Sequence, residues 1–170
     1  NGLDNVIKAG LLLSKLPIQF IFIGDGPQKT TLIKQAAGLK NFKFLDPIPK
    51  SLMPENLANS DAILLSLKDV PVYKYGVSPN KLYDAYAIAR PVITTVLGAV
   101  NSEVEMNNLG VTAPPGDPES LASSIEKLFN TPFKEREMMA MRARNLAENV
   151  YSREKVIHLY DELLKEVIET

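Results

Sequence analysis

Helical and strand-like apolar spacing alternate almost from one end of this sequence to the other, and that alternation leaves few architectures open. Short strands separated by helices pair in parallel, because each crossover returns the chain to the same end of the sheet. A parallel sheet in turn needs cover on both faces, so its strands read as continuous apolar runs. The pattern therefore predicts an α/β fold, a doubly wound, Rossmann-like parallel sheet with helices on both faces. At 170 residues the chain is long enough for one such domain and too short for two ordinary ones.

A helix is predicted over Leu3 to Lys15, with Val6, Ala9, Gly10 and Leu13 on one face, then an internal strand over Ile18 to Ile23. The turn Gly24-Asp25-Gly26-Pro27 leads to a helix over Gln28 to Gly38, a strand over Phe42 to Leu45, a short helix over Leu52 to Ala58 and a strand over Ala62 to Leu67. Lys68 to Val77 has no period and reads as a loop at a strand's C-terminal end, the end at which open α/β sheets bind ligands. A helix from Ser78 to Ala89 follows, then a strand over Pro91 to Val96, a short helix over Ser102 to Asn107 and a strand over Val111 to Ala113. Asp117 and Pro118 signal the start of a helix whose buried stripe is Leu121, Ala122, Ile125, Leu128 and Phe129. Two more helices are predicted, over Lys134 to Asn149 and Arg153 to Glu169. Ser152 caps the last, which turns Val156, Leu159, Tyr160, Leu163, Leu164 and Val167 inward. A doubly wound domain opens with a strand, whereas Asn1-Gly2-Leu3-Asp4 is already a helix start. The first strand is therefore expected to lie outside this chain.

The run Ser78-Pro79-Asn80-Lys81 carries a local conflict. Ser78 reads as an N-cap and Pro79 as the first helical residue, so the free amides of that turn face whatever lies in front of them. Lys81 then places a cation at the positive end of the helix dipole, and a bound anion such as a phosphate resolves the opposition. The apolar stripe Leu82, Ala85, Tyr86 and Ala89 leaves Lys81 and Asp84 on an adjoining face. An amine on phosphate and a carboxylate accepting from ribose hydroxyls suit a nucleoside diphosphate; a surface ion pair at i,i+3 suits the same spacing.

Composition limits the alternatives. Nineteen basic and 20 acidic residues leave a formal net charge of -1, so no general basic field is available to nucleic acid or to an anionic membrane. Cysteine is absent, and neither a bilayer-length apolar run nor a signal-peptide pattern is present, which predicts a soluble, cytoplasmic protein. Gly24-Asp25-Gly26 lacks the third glycine of a dinucleotide fingerprint, with Lys29 in its place, and there is no P-loop motif. His158 is the one histidine and falls off the last helix's apolar stripe, which disfavours nucleophile-histidine triads and histidine metal sites. Met138, Met139 and Met141 read as core filler and helix surface. Tyr73 and Tyr75 are loop tyrosines able to stack on a base or sugar.

Several short motifs occur in a specific order: Phe22-Ile23-Gly24-Asp25-Gly26-Pro27, Phe44-Leu45 with Pro47 and Pro49, Ser60-Asp61-Ala62, Gly76-Val77-Ser78-Pro79-Asn80-Lys81, Arg90-Pro91-Val92-Ile93, and Pro115-Gly116-Asp117-Pro118 with Leu121-Ala122. From Asn1 to about Asn130 this series resembles the C-terminal domain of retaining family 4 glycosyltransferases of the GT-B fold. The Val-Ser-Pro-Asn-Lys form is similar to the branch that builds bacterial O-antigen, capsule and colanic acid. The resemblance implies one nucleotide-sugar-binding domain over residues 1–170, with an α/β core over 1–150 and a helix over 151–170 that crosses back towards an N-terminal acceptor domain absent from this chain.

It further implies a UDP- or GDP-linked sugar as substrate, no cofactor or metal, and a polysaccharide or lipid-linked acceptor met through that other domain. The location implied is cytoplasmic, with membrane contact at the inner face only for the full-length protein. The implied donor-binding residues are Ser78, Pro79, Asn80, Lys81, Asp84, Asp46, Pro47, Ile48, Gly24 and Gly26. Among them Lys81 is the candidate leaving-group stabiliser, Asp84 the ribose ligand, and Asp46, Pro47 and Ile48 the loop against the base. Family members carry two glutamates with seven residues between them. Asp84 matches the second and Gly76 the first, so no sugar contact carries over to Gly76. Glu103 resembles the glutamate in the helix after the sixth strand of related domains, without an assigned role. A nucleotide-sugar epimerase of the same fold and a non-catalytic α/β interaction domain are the alternative readings.

Overall fold

The structure is a computed structural model that describes residues 2–168, apart from the side chains of Lys74 and Tyr75. Helix α1 (Leu3–Leu12) leads to β1 (Phe20–Ile23), α2 (Lys29–Gln35) and β2 (Phe42–Leu45). A 3-10 turn at Lys50–Leu52 runs into α3 (Met53–Ala58), then β3 (Ile63–Leu65), a second 3-10 turn at Pro71–Tyr75, and α4 (Asn80–Ala87). Next come β4 (Val92–Thr94), α5 (Ala99–Met106), β5 (Gly110–Thr112), α6 (Pro118–Asn130), α7 (Phe133–Asn149) and α8 (Arg153–Ile168). All strand pairing is parallel, as the alternation predicts, but it falls into two sheets, β1-β2 and β3-β4-β5. Expected as an internal strand, β1 pairs on one side alone and leaves Ile21 half exposed.

The three-stranded sheet separates two cores by simple alternation of side chains. Leu64, Ile93 and Val111 face α1 and α6, where they meet Val6, Ala9, Leu121 and Ile125. Leu65 and Val92 face α4 and α5, where they meet Leu82, Ala85, Tyr86, Val100 and Val104. Phe20 and Phe22 of β1 pack on the first of these cores, so α1 and its apolar face span both sheets. Gly110 lets β5 approach β4, because a Cβ there would lie 1.9 Å from the Val92 carbonyl oxygen. Thr94 is fully buried in the same strand, with its hydroxyl accepting from the Val96 amide at 3.0 Å.

Helix ends account for most departures from the expected boundaries. α4 closes in a Schellman arrangement, with the Ala89 amide donating to Tyr86 O at 3.0 Å and the Arg90 amide to Ala85 O at 3.1 Å. Ala89 therefore leaves the predicted helical stripe and adopts φ +53°. α5 closes the same way at Asn108, φ +49°, and begins three residues before the predicted Ser102. Two arginines of α7 reach across to these ends: Arg144 donates to Ala87 O and Arg142 to Asn108 O. α6 starts as predicted, with Asp117 accepting from the Ser120 amide at 2.9 Å. Phe129, assigned to its buried stripe, stays 39% exposed.

The larger correction concerns α8. Val156, Leu159, Tyr160, Leu163, Leu164 and Val167 were expected to face inward, yet all are exposed, because no described element lies against that face. Ser152 supplies its cap, accepting from the Lys155 amide at 3.4 Å. Glu169, the predicted last residue, lies outside the described residues.

Two predictions follow from these ends. A left-handed conformation is costly for alanine and free for glycine, so Ala89→Gly is expected to stabilise the chain by about 1 kcal/mol in urea denaturation. Hydrogen bonds from the Ser120 side chain and amide hold the Asp117 carboxyl below its ordinary value. The stability it contributes is therefore complete above about pH 4 and lost as pH falls through its lower folded value. Asp117→Ala should melt below the wild type at pH 6, with the gap closing on acidification towards pH 2.

Candidate functional site

Pro79 is extended, φ -78° and ψ 117°, which places it just outside α4 as the N-cap rather than inside the first turn. The helix consequently begins at Asn80, one residue later than the sequence predicts, and no side chain caps it. Ser78 is not the cap; its hydroxyl shares a hydrogen bond with Tyr83 Oη at 2.9 Å. The first amide with a carbonyl behind it is that of Leu82, bonded to Pro79 O at 2.9 Å. The Asn80 and Lys81 amides precede it and point out of the helix end.

Buried Leu82, Ala85 and Tyr86 fix α4 on its core, which leaves Lys81 and Asp84 exposed on the outer face. Neither side chain forms an ion pair or hydrogen bond with any described residue, so the surface pairing at i,i+3 does not form. The charge on Lys81 stands unopposed at the positive end of the dipole.

A second lysine shows how the same conflict is settled within the protein. Lys29 opens α2, where it too opposes a helix dipole, and the sequence marks it only as the residue in place of a fingerprint glycine. Its Nζ meets Asp46 Oδ1 at 2.9 Å and Leu45 O at 3.2 Å. The hydrogen bond and charge of Lys29 pull the Asp46 carboxyl below its ordinary value, although Asp46 itself is exposed. A cation in the first turn of a helix that has no acidic residue there is the signal that finds both residues. Asp46 is thus tied to α2, while Pro47 is exposed and Ile48 half-buried beside it.

The remaining candidates are placed by the strand ends. Gly24 bonds through its amide to Leu45 O at 3.2 Å, and Asp25 Oδ1 accepts from the Gly26 amide at 2.8 Å, so β1 and β2 carry their following turns side by side. Among the described residues no hydrogen bond or ion pair joins these turns to the Ser78 to Asp84 segment. Tyr73 lines a crevice with Leu67, Thr95, Leu97 and Pro115 at the ends of β3, β4 and β5. It encloses about 10 Å³, room for a single water. Tyr75's side chain lies outside the described residues. His158 is exposed and faces Glu162 at 3.3 Å. Met139 is buried, while Met138 and Met141 are on the surface. No group of three His, Asp or Glu side chains among the described residues is placed to hold a metal.

The family model for glycosyl transferases group 1 matches residues 1–131. The chain belongs to that family. The probable glycosyltransferase WbjE of Pseudomonas aeruginosa is 30% identical over 134 residues, covering 75% of this chain and 32% of its own length. This group 1 chain thus spans about a third of that curated relative. Two solved structures share the fold. Sucrose-phosphate synthase from Thermosynechococcus elongatus has a TM-score of 0.76 at 17% identity, over 99% of this chain and 42% of its own. Anabaena HepE in complex with UDP-glucose has 0.73 at 20%, over 98% and 45%.

Gly76 has a backbone conformation that its missing side chain allows. It adopts φ 132° and ψ 144°, a region open to glycine and strained for other residues, yet an added Cβ would meet nothing within 4 Å. The group 1 chain therefore turns into Ser78 along a path that an acidic residue would strain. Gly76→Ala is expected to destabilise the protein by about 1–3 kcal/mol through backbone strain alone, measured by urea denaturation.

Proposed function

We propose that this chain binds the nucleotide-sugar donor of a retaining glycosyltransferase that passes the sugar to a surface polysaccharide or a lipid-linked acceptor. The observation that carries the reading is the contrast between Lys29 and Lys81, two cations in helix first turns that hold no acidic residue. Lys29 finds its anion in Asp46, whereas Lys81 has no partner among the described residues and shares the uncapped end of α4 with two outward amides. A diphosphate matches that arrangement in charge and in hydrogen-bond acceptors.

In this reading Lys81 and the amides of Asn80 and Lys81 hold the diphosphate. As the bond to the anomeric carbon breaks, negative charge grows on the leaving nucleoside diphosphate, and these fixed donors stabilise it. The charge is met by protein groups, so the reading calls for no metal or cofactor. Asp84, one turn farther along the exposed face, accepts from the ribose hydroxyls. Asp46, Pro47 and Ile48 lie against the base, with Gly24 and Gly26 giving close approach beside them. UDP-glucose in the related HepE structure favours uridine, with guanosine the alternative. In this reading the acceptor binds through a further domain, and transfer takes place in the cytoplasm at the inner face of the membrane. The conformation of Gly76 favours a second reading, a non-catalytic domain that has given up sugar recognition.

Titration calorimetry with UDP and GDP tests the assignment. Lys81→Ala is expected to weaken binding of the preferred nucleotide about tenfold. Equal affinities would remove Lys81 from the site, and binding of neither nucleotide would favour the non-catalytic reading.

A further inference from the structure

Glu103 joins three parts of the chain. It stands on α5, and its Oε1 accepts from the hydroxyl of Tyr86 on α4 at 2.8 Å, while its Oε2 accepts from the hydroxyl of Tyr151 in the link between α7 and α8. Tyr86 is fully buried. Burial, reinforced by the Glu103 carboxylate, pushes both phenols above the ordinary tyrosine range, so both remain donors at neutral pH.

A third tyrosine carries this arrangement to the donor turn. The ring of Tyr83 lies 4.8 Å from that of Tyr151 and meets Tyr86 edge-on at 6.4 Å. Its hydroxyl is the group bonded to Ser78 at 2.9 Å. Ser78 is the residue that Pro79 shifts out of the capping position, so its side chain is free for this contact. The turn before Lys81 therefore rests on the Tyr83 phenol. That ring rests on Tyr151, which Glu103 holds.

We propose that Tyr83 is a positioning residue for the Ser78 to Lys81 turn, and that Glu103, through Tyr151, couples the shape of that turn to the link between α7 and α8. α8 leaves the body of the domain within two residues of Tyr151. A change in its direction would displace the ring on which Tyr83 packs. The geometry stands by itself; its meaning for nucleotide binding rests on the reading of that turn as the diphosphate site.

Site-resolved amide hydrogen exchange on the nucleotide-free chain tests the coupling, using Tyr83→Phe, Tyr151→Phe and Glu103→Gln. The phenylalanine variants keep the rings and remove one hydroxyl each, so they remain informative if Glu103→Gln fails to fold. Each is expected to speed exchange of the Leu82 amide about threefold, with the Val92 and Ala113 amides unchanged. The two phenylalanine changes should be non-additive when combined, because they act through one path. An unchanged Leu82 amide in Tyr83→Phe, additive effects, or uniform acceleration across the sheet would overturn the proposal. In a second arm, calorimetry with UDP should show Tyr83→Phe binding about threefold more weakly at unchanged melting temperature. If Lys81→Ala weakens binding and Tyr83→Phe does not, the coupling to the site is overturned. If Lys81→Ala has no effect, the diphosphate reading fails while the exchange result still decides the coupling.

Discussion

The fold depends on the parallel ladder through β4. Val92 and Ile93 are neighbours in sequence, yet one belongs to the core under α4 and α5 and the other to the core under α1 and α6. A strand three residues long thereby ties together helices from opposite faces. The absence of a side chain at Gly110 keeps β5 in register beside it. A one-residue slip would exchange the two faces and bury Thr94, whose hydroxyl is matched to the Val96 amide, against the wrong core. α4 inherits its orientation from this ladder through Leu82, Ala85 and Tyr86, and the outward placement of Lys81 and Asp84 is what remains.

Electrostatics then distinguishes ends of helices that packing treats alike. α2 and α4 both begin with a lysine in the first turn and lack side-chain caps. In α2 the strand pairing of β1 with β2 brings Asp46 to the lysine. In α4 the preceding segment supplies Ser78 to Tyr83 of the helix itself, and no carboxylate among the described residues pairs with Lys81. The difference is a matter of which loop lies opposite each helix. One lysine is consumed by the architecture and the other is left available.

Much of this was legible in the sequence because period reports burial. Phe42 to Leu45 is the strand predicted, and Val6, Ala9 and Leu13 lie on the buried face expected of α1. What failed was what period cannot report. α8 carries an apolar stripe as α6 does, but amphipathicity states that a face is apolar, not that a partner is at hand. Ser-Pro reads as a cap followed by a first turn, and only the extended ψ of Pro79 moves the boundary. The candidate site was half legible for a related reason. A cation against a helix dipole is a local contradiction, visible in sequence at Lys81. That Lys29 shares it, and that Asp46 resolves it there, depends on a contact 17 residues apart. Likewise Glu103 was recognisable as a residue while its two tyrosine partners, one of them 48 positions away, were not.

Arg144 gives the two ends of α4 different fates. Its guanidinium sits on the Ala87 carbonyl and compensates the negative pole, while the positive pole is left bare with Lys81 beside it. The helix is thus compensated at one end only, and in a chain with a net charge of -1 the cation of Lys81 stands at the uncompensated pole. A charge of this kind acts over roughly 10 Å at 0.1 M salt. Arg144, at the opposite end of α4 and itself paired with Glu148, leaves that bare end untouched.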